Sequence, residues 1–260
     1  MSSGLYAAAT GLEAQNTNLA VIANNLANLS TTGFKRSTVE FKDLVYEHLR
    51  PQGGDVGGGS VVPSSIELGS GVQVSSTTKI FTPGELKPTN NQLDMAISGD
   101  GFFEIKMPDG STAYTRDGAL KTGPKGEVTT SDGFIVQSGF QPIDTGASLF
   151  ISESGQVTAI SDAGTKTFQI QLARFANPSG LQSIGNNLYV ETPASGTPQL
   201  GNAGTAGIGK LLQKHLEMSN VNETEEMVNL IMAQRTHEAG TRAIQAGDEM
   251  LQRNNQIKRA

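Results

Sequence analysis

Two heptad patterns, one at each end of the chain, limit the folds open to this sequence. Near the start, Leu5, Leu12, Leu19 and Leu26 recur every seven residues, and Ala8, Ile22 and Leu29 fall three later in their heptads. Gln15 interrupts that second row. Such a stripe describes a helix with a coiled-coil seam rather than an ordinary surface helix. Ser2 or Ser3 can cap its start and Ser30-Thr31-Thr32-Gly33 can stop it. The spacing predicts a helix over 4–29, roughly 39 Å long. Near the end, Leu230, His237, Ile244 and Leu251 form a second seven-residue row, and Ala233, Gly240 and Gly247 follow its first three members by three. Asn222 with Glu225 at N3 reads as a capped start, and Glu223, Glu225 and Glu226 complement the positive helix end. A helix over 222–257 would run roughly 54 Å. Two such stripes bury their seams most simply against each other, and the small residues of the second admit close approach.

The face of the first helix opposite its leucines carries Asn16, Asn18, Asn24, Asn25 and Asn28, and Glu13 is the only charge between Met1 and Phe34. Neutral amides cost less to desolvate than ions, so this face suits burial against further protein; a solvated polar face is the alternative.

Between the helices the period changes. Val72 to Val74, Met95 to Ile97, Phe102 to Met107, Phe134 to Val136, Leu149 to Ile151, Phe168 to Leu172 and Leu188 to Val190 are short β-prone runs. Asp109-Gly110, Asp117-Gly118 and Asp132-Gly133 punctuate them as turn signals. The predicted class is therefore α+β: N- and C-terminal helices forming a coiled-coil domain around an inserted antiparallel β domain. Its expected divisions are a discontinuous helical domain of 1–33 plus 215–260, a connecting region of 34–75, and a β-rich domain with its return connection over 76–214. Within the connection, 51–65 has five glycines and two prolines in fifteen residues, among them Pro51, Gly53, Gly54, Gly57, Gly58, Gly59 and Pro63. Taken alone it reads as a flexible linker or exposed loop. The folded middle is expected to meet its protease-sensitive edges near Lys35 and after Lys210 or Lys214.

Composition removes several function classes. With 19 Lys+Arg against 25 Asp+Glu the net charge is −6, and without a basic cluster nucleic acid is a poor partner. The absence of cysteine excludes disulfides, zinc ribbons and thiol catalysis. No apolar run approaches the roughly 20 residues of a membrane span, and the uncharged start lacks the cationic region of a cleaved secretory signal. The catalytic motifs are near misses. Gly204 to Lys210 reads as a phosphate loop, but Leu211 stands where Ser or Thr would hold Mg²⁺. His237-Glu238 begins a zinc pattern that Thr241 breaks. Ser76-Thr77-Thr78-Lys79 and Lys121-Thr122-Gly123 lack the third element of penicillin-interacting serine enzymes. No enzyme activity, cofactor or metal is expected.

Several segments do resemble a known family. Ala23 to Lys35 (ANNLANLSTTGFK), with Asn24, Asn25, Leu26, Asn28, Gly33 and Phe34 at its centre, closely resembles the N-terminal signature of bacterial flagellar rod and hook proteins. Asp94 to Phe103 (DMAISGDGFF) and Tyr114 to Gly118 (YTRDG) resemble that family's central motifs. Ser219-Asn220-Val221 and Gln234-Arg235 resemble its C-terminal signature. Length, and the stretch after Leu44-Val45-Tyr46 with its Gly-rich segment, resemble members of the distal rod; a proximal rod member is the alternative. The resemblance implies a structural subunit of a rigid, torque-bearing helical tube. It implies export without a cleaved signal peptide through the flagellar type III apparatus, and a place in the basal body across the periplasm. Its expected partners are further copies of itself, proximal rod proteins, the hook protein, and the peptidoglycan and outer-membrane ring proteins. Leu5, Leu12, Leu19, Ile22, Leu26, Leu29, Leu230, Ile244 and Leu251 are the expected subunit-packing residues, and 51–65 would be specific to the rod. A secreted oligomeric adhesin, with the β domain as ligand binder, is the reading from a different class.

Overall fold

The computed structural model describes residues 3–50, 65–144, 146–161, 164–205 and 207–257. Its architecture is α+β, with two long terminal helices packed together and antiparallel sheets inserted between them in sequence. Helix α1 spans Ser3–Ala27 and helix α2 spans Glu223–Ile257. Both lie close to their predicted limits. Leu29, the last leucine of the first stripe, falls in the turn beyond α1. Two compact units form, one of Met1–Leu26, Ser37–Thr78 and Glu223–Ala260, the other of Ala27–Arg36 and Lys79–Asn222.

In the first unit the helices run antiparallel. Asn25 at the end of α1 reaches Glu226 at the start of α2, Leu12 lies against Gly240, and Leu5 against Gly247. Any Cβ on Gly247 would overlap Leu5, and one on Gly240 would come 3.3 Å from Leu12. The glycines therefore set how closely the backbones approach. Glu226, Leu230, Ala233, His237, Gly240, Ile244 and Gly247 form the shielded line of α2, in alternating steps of four and three. That is the predicted seam with Glu226 added at its start and Leu251, which is exposed, left off its end. Beyond α1 the chain makes an antiparallel ribbon, in which Ser37–Asp43 pairs with Val72–Lys79 and Tyr46–Arg50 with Ile66–Gly69. Leu44 N–H to Gly71 O (3.0 Å) and Ser70 N–H to Val45 O (3.2 Å) bridge the two parts. α1 seats on this ribbon at Gly71, where φ is +113° and any Cβ would overlap Thr10 Oγ1. Pro51, Gly53, Gly54, Gly57, Gly58, Gly59 and Pro63 lie outside the described residues; in sequence they connect the two arms of this ribbon.

The second unit is built on a seven-stranded antiparallel sheet. Its order is Gln182–Gly185, Leu188–Val190, Thr112–Thr115, Phe103–Lys106, Ile135–Val136, Val128–Thr129 and Lys121–Thr122. Phe103 and Ile105 are fully buried while Lys106 is exposed, the period-two pattern of a sheet with one covered face. Ser148–Ile151, Gln156–Ser161 and Gly164–Gln169 form a three-stranded sheet. Met95, Ile97, Leu172, Val157, Ile170 and Leu211 join Phe103 and Ile105 in one apolar core. A second cluster stacks Phe81, Phe102, Tyr114, Phe175 and Tyr189 edge to face, with centroids 4.8 to 6.1 Å apart. Three further pairs complete the described part of the unit: Gln171–Arg174 with Gln199–Asn202, Lys210–Gln213 with Met95–Ser98, and His215–Glu217 with Leu86–Pro88. Residues 215–217 are thus strand, and helix begins only at Glu223. The turn signals divide. Gly110 and Gly133 adopt φ +86° in open turns. Asp117-Gly118 is no hairpin turn: Gly118 presses backbone to backbone on Met95, whose N–H donates to Gly118 O at 3.1 Å, and any Cβ there would overlap Met95 O.

Candidate functional site

Three segments remote in sequence meet inside the second unit: 32–36, 115–118 and 217–221. Gly33 opens the junction. Its φ is +68°, its N–H donates to Glu217 O at 2.8 Å, and a Cβ would lie 2.7 Å from Asp117 N. Only glycine satisfies both the backbone conformation and the approach. Phe34 is buried, with Lys79 Nζ 5.1 Å from its ring centre.

Lys35 follows, and its side chain is wholly enclosed. Nζ donates to Glu217 Oε1 at 2.6 Å and to Thr82 O at 2.7 Å, and Lys35 and Glu217 side chains are both 0% exposed. Arg116 grips the same carboxylate from another side, through Nε to Oε2 (3.0 Å) and Nη2 to Oε1 (3.2 Å). Gly84 N–H adds a bond to Oε1 at 3.0 Å. The other donors of Arg116 go to main chain, with Nη1 to Gly99 O (2.8 Å) and Gly101 O (2.9 Å) and Nη2 to Ile97 O (3.4 Å). Gly99 and Gly101 have φ of +114° and +145°, so the glycines of ISGDG turn two carbonyls onto the guanidinium.

Burial pushes the Lys35 pKa down; Glu217 opposes this and the neighbouring Arg116 adds to it. Burial alone would raise the Glu217 pKa, but Arg116 and then Lys35 outweigh it and hold the carboxyl below its ordinary range. Asp117 beside them is pushed up by burial, against hydrogen bonds from Ala119 N–H and Thr32. An ion pair this enclosed carries a desolvation cost, and full hydrogen bonding is what offsets it. Every Glu217 oxygen accepts, and each cation has main-chain carbonyls as well. Asn220 closes the junction. Its Oδ1 accepts from Arg36 N–H at 2.8 Å, while Nδ2 donates to Ile80 O (2.8 Å) and Thr82 Oγ1 (3.0 Å). The arrangement fastens three chain segments together and presents no group to a substrate.

The other expected residues take varied places. Asn25 is buried, exchanging two 2.9 Å hydrogen bonds with the Ser37 main chain and donating to Glu226 Oε1 at 3.4 Å. It ties α1 to the ribbon and to α2 instead of joining an outward amide face. Asn24 is exposed, and Asn28 accepts from Thr31 in the turn after α1. Leu5, Leu12, Leu19, Leu26, Leu230 and Ile244 are half-buried, Ile22 is buried, and Leu251 is 41% exposed. Leu29 borders a cavity of about 450 Å³ with Glu85, Met218 and Val221. Lys35, read as a cleavage-prone edge, is instead the buried centre. Lys210 lies in a strand and Lys214 donates its N–H to Asp94 O at 2.7 Å, so the folded unit continues past both. At the phosphate-loop mimic, Gly204 N–H donates to Gly209 O (3.0 Å), Lys210 pairs with Glu153 (2.8 Å), and Leu211 is core. Glu217 escaped the sequence reading altogether, and Arg116 appeared only within YTRDG. The one available signal was charge inside otherwise apolar or glycine-rich motifs.

The comparisons with known proteins fall on these segments. Residues 5–35 match the flagella basal body rod protein model, 96–159 the flagellar hook protein FlgE/F/G D1 domain, and 212–257 the flagellar basal body rod FlgEFG protein C-terminal model. The chain is 42% identical over 256 residues to the flagellar basal-body rod protein FlgG of Buchnera aphidicola subsp. Baizongia pistaciae, covering 97% of this chain and 98% of that protein. It is 42% identical over 264 residues to FlgG of Borreliella burgdorferi, covering all of both chains. To FlgG of Agrobacterium fabrum it is 43% identical over 250 residues, 95% of each. Lys35, Arg116 and Glu217 lie one in each matched region. The chain belongs to the flagellar basal-body rod FlgE/F/G family, as a structural subunit of the distal rod and not an enzyme.

Proposed function

We propose that copies of this chain polymerise into a rigid helical tube that carries torque from motor to hook across the periplasm. The observation that carries the reading is the helical unit, whose seam is closed within the chain while the outer face of α2 keeps large apolar side chains exposed. A subunit that completes its own seam and keeps a second apolar face has something left to bury in an assembly. Leu5, Leu12, Leu19, Ile22, Leu26, Leu29, Leu230, Ile244 and Leu251 then act indirectly, holding the helix pair and the turn after α1 in the shape that neighbours meet. The family implies assembly with other basal-body components; our reading names the proximal rod, the hook protein, the two ring systems and the type III export apparatus. It keeps the working division of 1–33 plus 215–260, 34–75 and 76–214, and assigns 51–65 to bracing neighbouring subunits. Among the described residues no helix is long and apolar enough to cross a membrane.

Image reconstruction of isolated basal bodies tests the proposal. Density for this chain repeated along a continuous tube between motor and hook is the expected result. Discrete closed oligomers in place of open-ended rods would overturn it and favour an adhesin-like assembly.

A further inference from the structure

On α2, Met227, Val228, Ile231 and Met232 are 47 to 62% exposed and share one helix face, turned away from the seam residues Glu226, Leu230 and Ala233. Arg235 continues this face, is exposed, and is the only charged residue between Glu226 and His237. Elsewhere on the same unit a groove of about 430 Å³ runs between α1 and the ribbon, lined by Tyr6, Ala14, Leu44, Val72 and Val74, with Glu13 among its walls. Tyr6, Thr10, Glu13 and Thr17 follow one another in steps of four, three and four, a stripe separate from the Leu5-Leu12-Leu19 line that faces α2. Glu13, exposed, is the only charge on α1. Among the described residues neither Glu13 nor Arg235 makes an ion pair.

We propose that the Met227–Arg235 face of one copy docks into the α1–ribbon groove of the next, with Arg235 of the first meeting Glu13 of the second. The inference rests on the rod reading, which supplies the second copy as occupant. Charge supports the pairing: each surface has one lone ion, and the two have opposite sign. Length supports it too. The α2 face covers about 12 Å of helix and the groove about 16 Å of α1, at 1.5 Å per residue. Face and groove are different surfaces of one subunit, so the contact can repeat head to tail, and in the rod reading that repetition extends an open filament because the rotation between copies does not close a ring. The apolar residues supply the burial, and the ion pair sets register and discriminates against other arrangements.

The chain has no cysteine, which makes the test clean. Full-length Glu13→Cys and Arg235→Cys are produced separately and together in cells lacking the unaltered copy, and isolated basal bodies are treated with a short bismaleimide. Covalent dimers are expected from the mixed population and from neither variant alone. Dimers from a single variant would place the same residue of two copies side by side, which the proposed contact does not allow, and would overturn the proposal. Assembled mixed rods without dimers would overturn it while leaving the rod reading intact. That reading fails separately if the unaltered chain is missing from isolated rods. A second arm uses charge reversal, with secreted protein measured alongside. Glu13→Arg and Arg235→Glu should each cut the number of completed rods at least about tenfold, the loss that about 1.4 kcal/mol gives in a single contact, and the double reversal should restore it. A double variant no better than the singles would overturn the pairing.

Discussion

Glu217→Gln changes few atoms and removes the only anion of the buried cluster. The amide keeps the shape of the carboxylate but leaves Lys35 and Arg116 without a counter-charge in an enclosed site. Removing one member of a buried ion pair costs about 3–5 kcal/mol. With Arg116 still held by three main-chain carbonyls, we expect about 4 kcal/mol. At a urea slope of about 2 kcal/mol/M this lowers the midpoint by about 2 M. Near-ultraviolet circular dichroism gives the readout, because the chain has no Trp and Tyr114 and Tyr189 lie in the buried aromatic cluster. Lys210→Met, which breaks the exposed pair with Glu153, serves as the control and should leave the midpoint unmoved. The pH dependence supplies a second check. Glu217 has a folded pKa below its ordinary 4.5. Its contribution is therefore complete above that value and disappears as pH falls through the lower folded pKa. Glu217→Gln should flatten this part of the acid limb. A midpoint shift no larger than that of Lys210→Met would refute the claim that the cluster fastens the three segments.

Gly118→Ala should prevent the second unit from packing, since the added methyl meets Met95 O; loss of the tyrosine near-ultraviolet signal checks it. Gly247→Leu should force α1 from α2 at Leu5, at a cost of at least about 1–3 kcal/mol, read as lost helical signal and absent rods. Deleting Gly53 to Gly59 should permit export and polymerisation but give bent or fragile rods. Curvature measured by electron microscopy decides it, and straight rods of normal stiffness would mean that the segment is a linker.

The helices were legible because their information is local. Leu5 and Leu12 repeat within a few turns, and Gly240 and Gly247 announce close packing by size alone. The strand runs were legible for the same reason: Phe103 and Ile105 alternate with polar neighbours. The ionic cluster was not legible. Lys35 and Glu217 are separated by most of the chain, and a charge in a sequence reads as solvated unless its partner is known. Asp117-Gly118 misled because a glycine wanted for close approach looks the same in sequence as one wanted for a turn. The ribbon was hidden in a connecting region because Tyr46–Arg50 and Ile66–Gly69 flank the Gly-rich stretch, whose composition dominates any window across them.

The hydrogen bond from the Asn220 side chain to Ile80 O, at 2.8 Å, makes a doorway. The chain returns from the ribbon to the second unit at Lys79 and leaves it at Asn222, so re-entry and exit lie within reach of a single amide, whatever lies between. A module with such a threshold can in principle be exchanged for another of different length, because the replacement needs to match only two neighbouring endpoints. Loop-closure arithmetic agrees, since doubling the inserted length costs only about 0.6 kcal/mol once the ends are pinned. The β unit could then be refitted by grafting between Ile80 and Asn220, with a counter-charge kept for Lys35, leaving both helices and the ribbon that seats α1 unaltered.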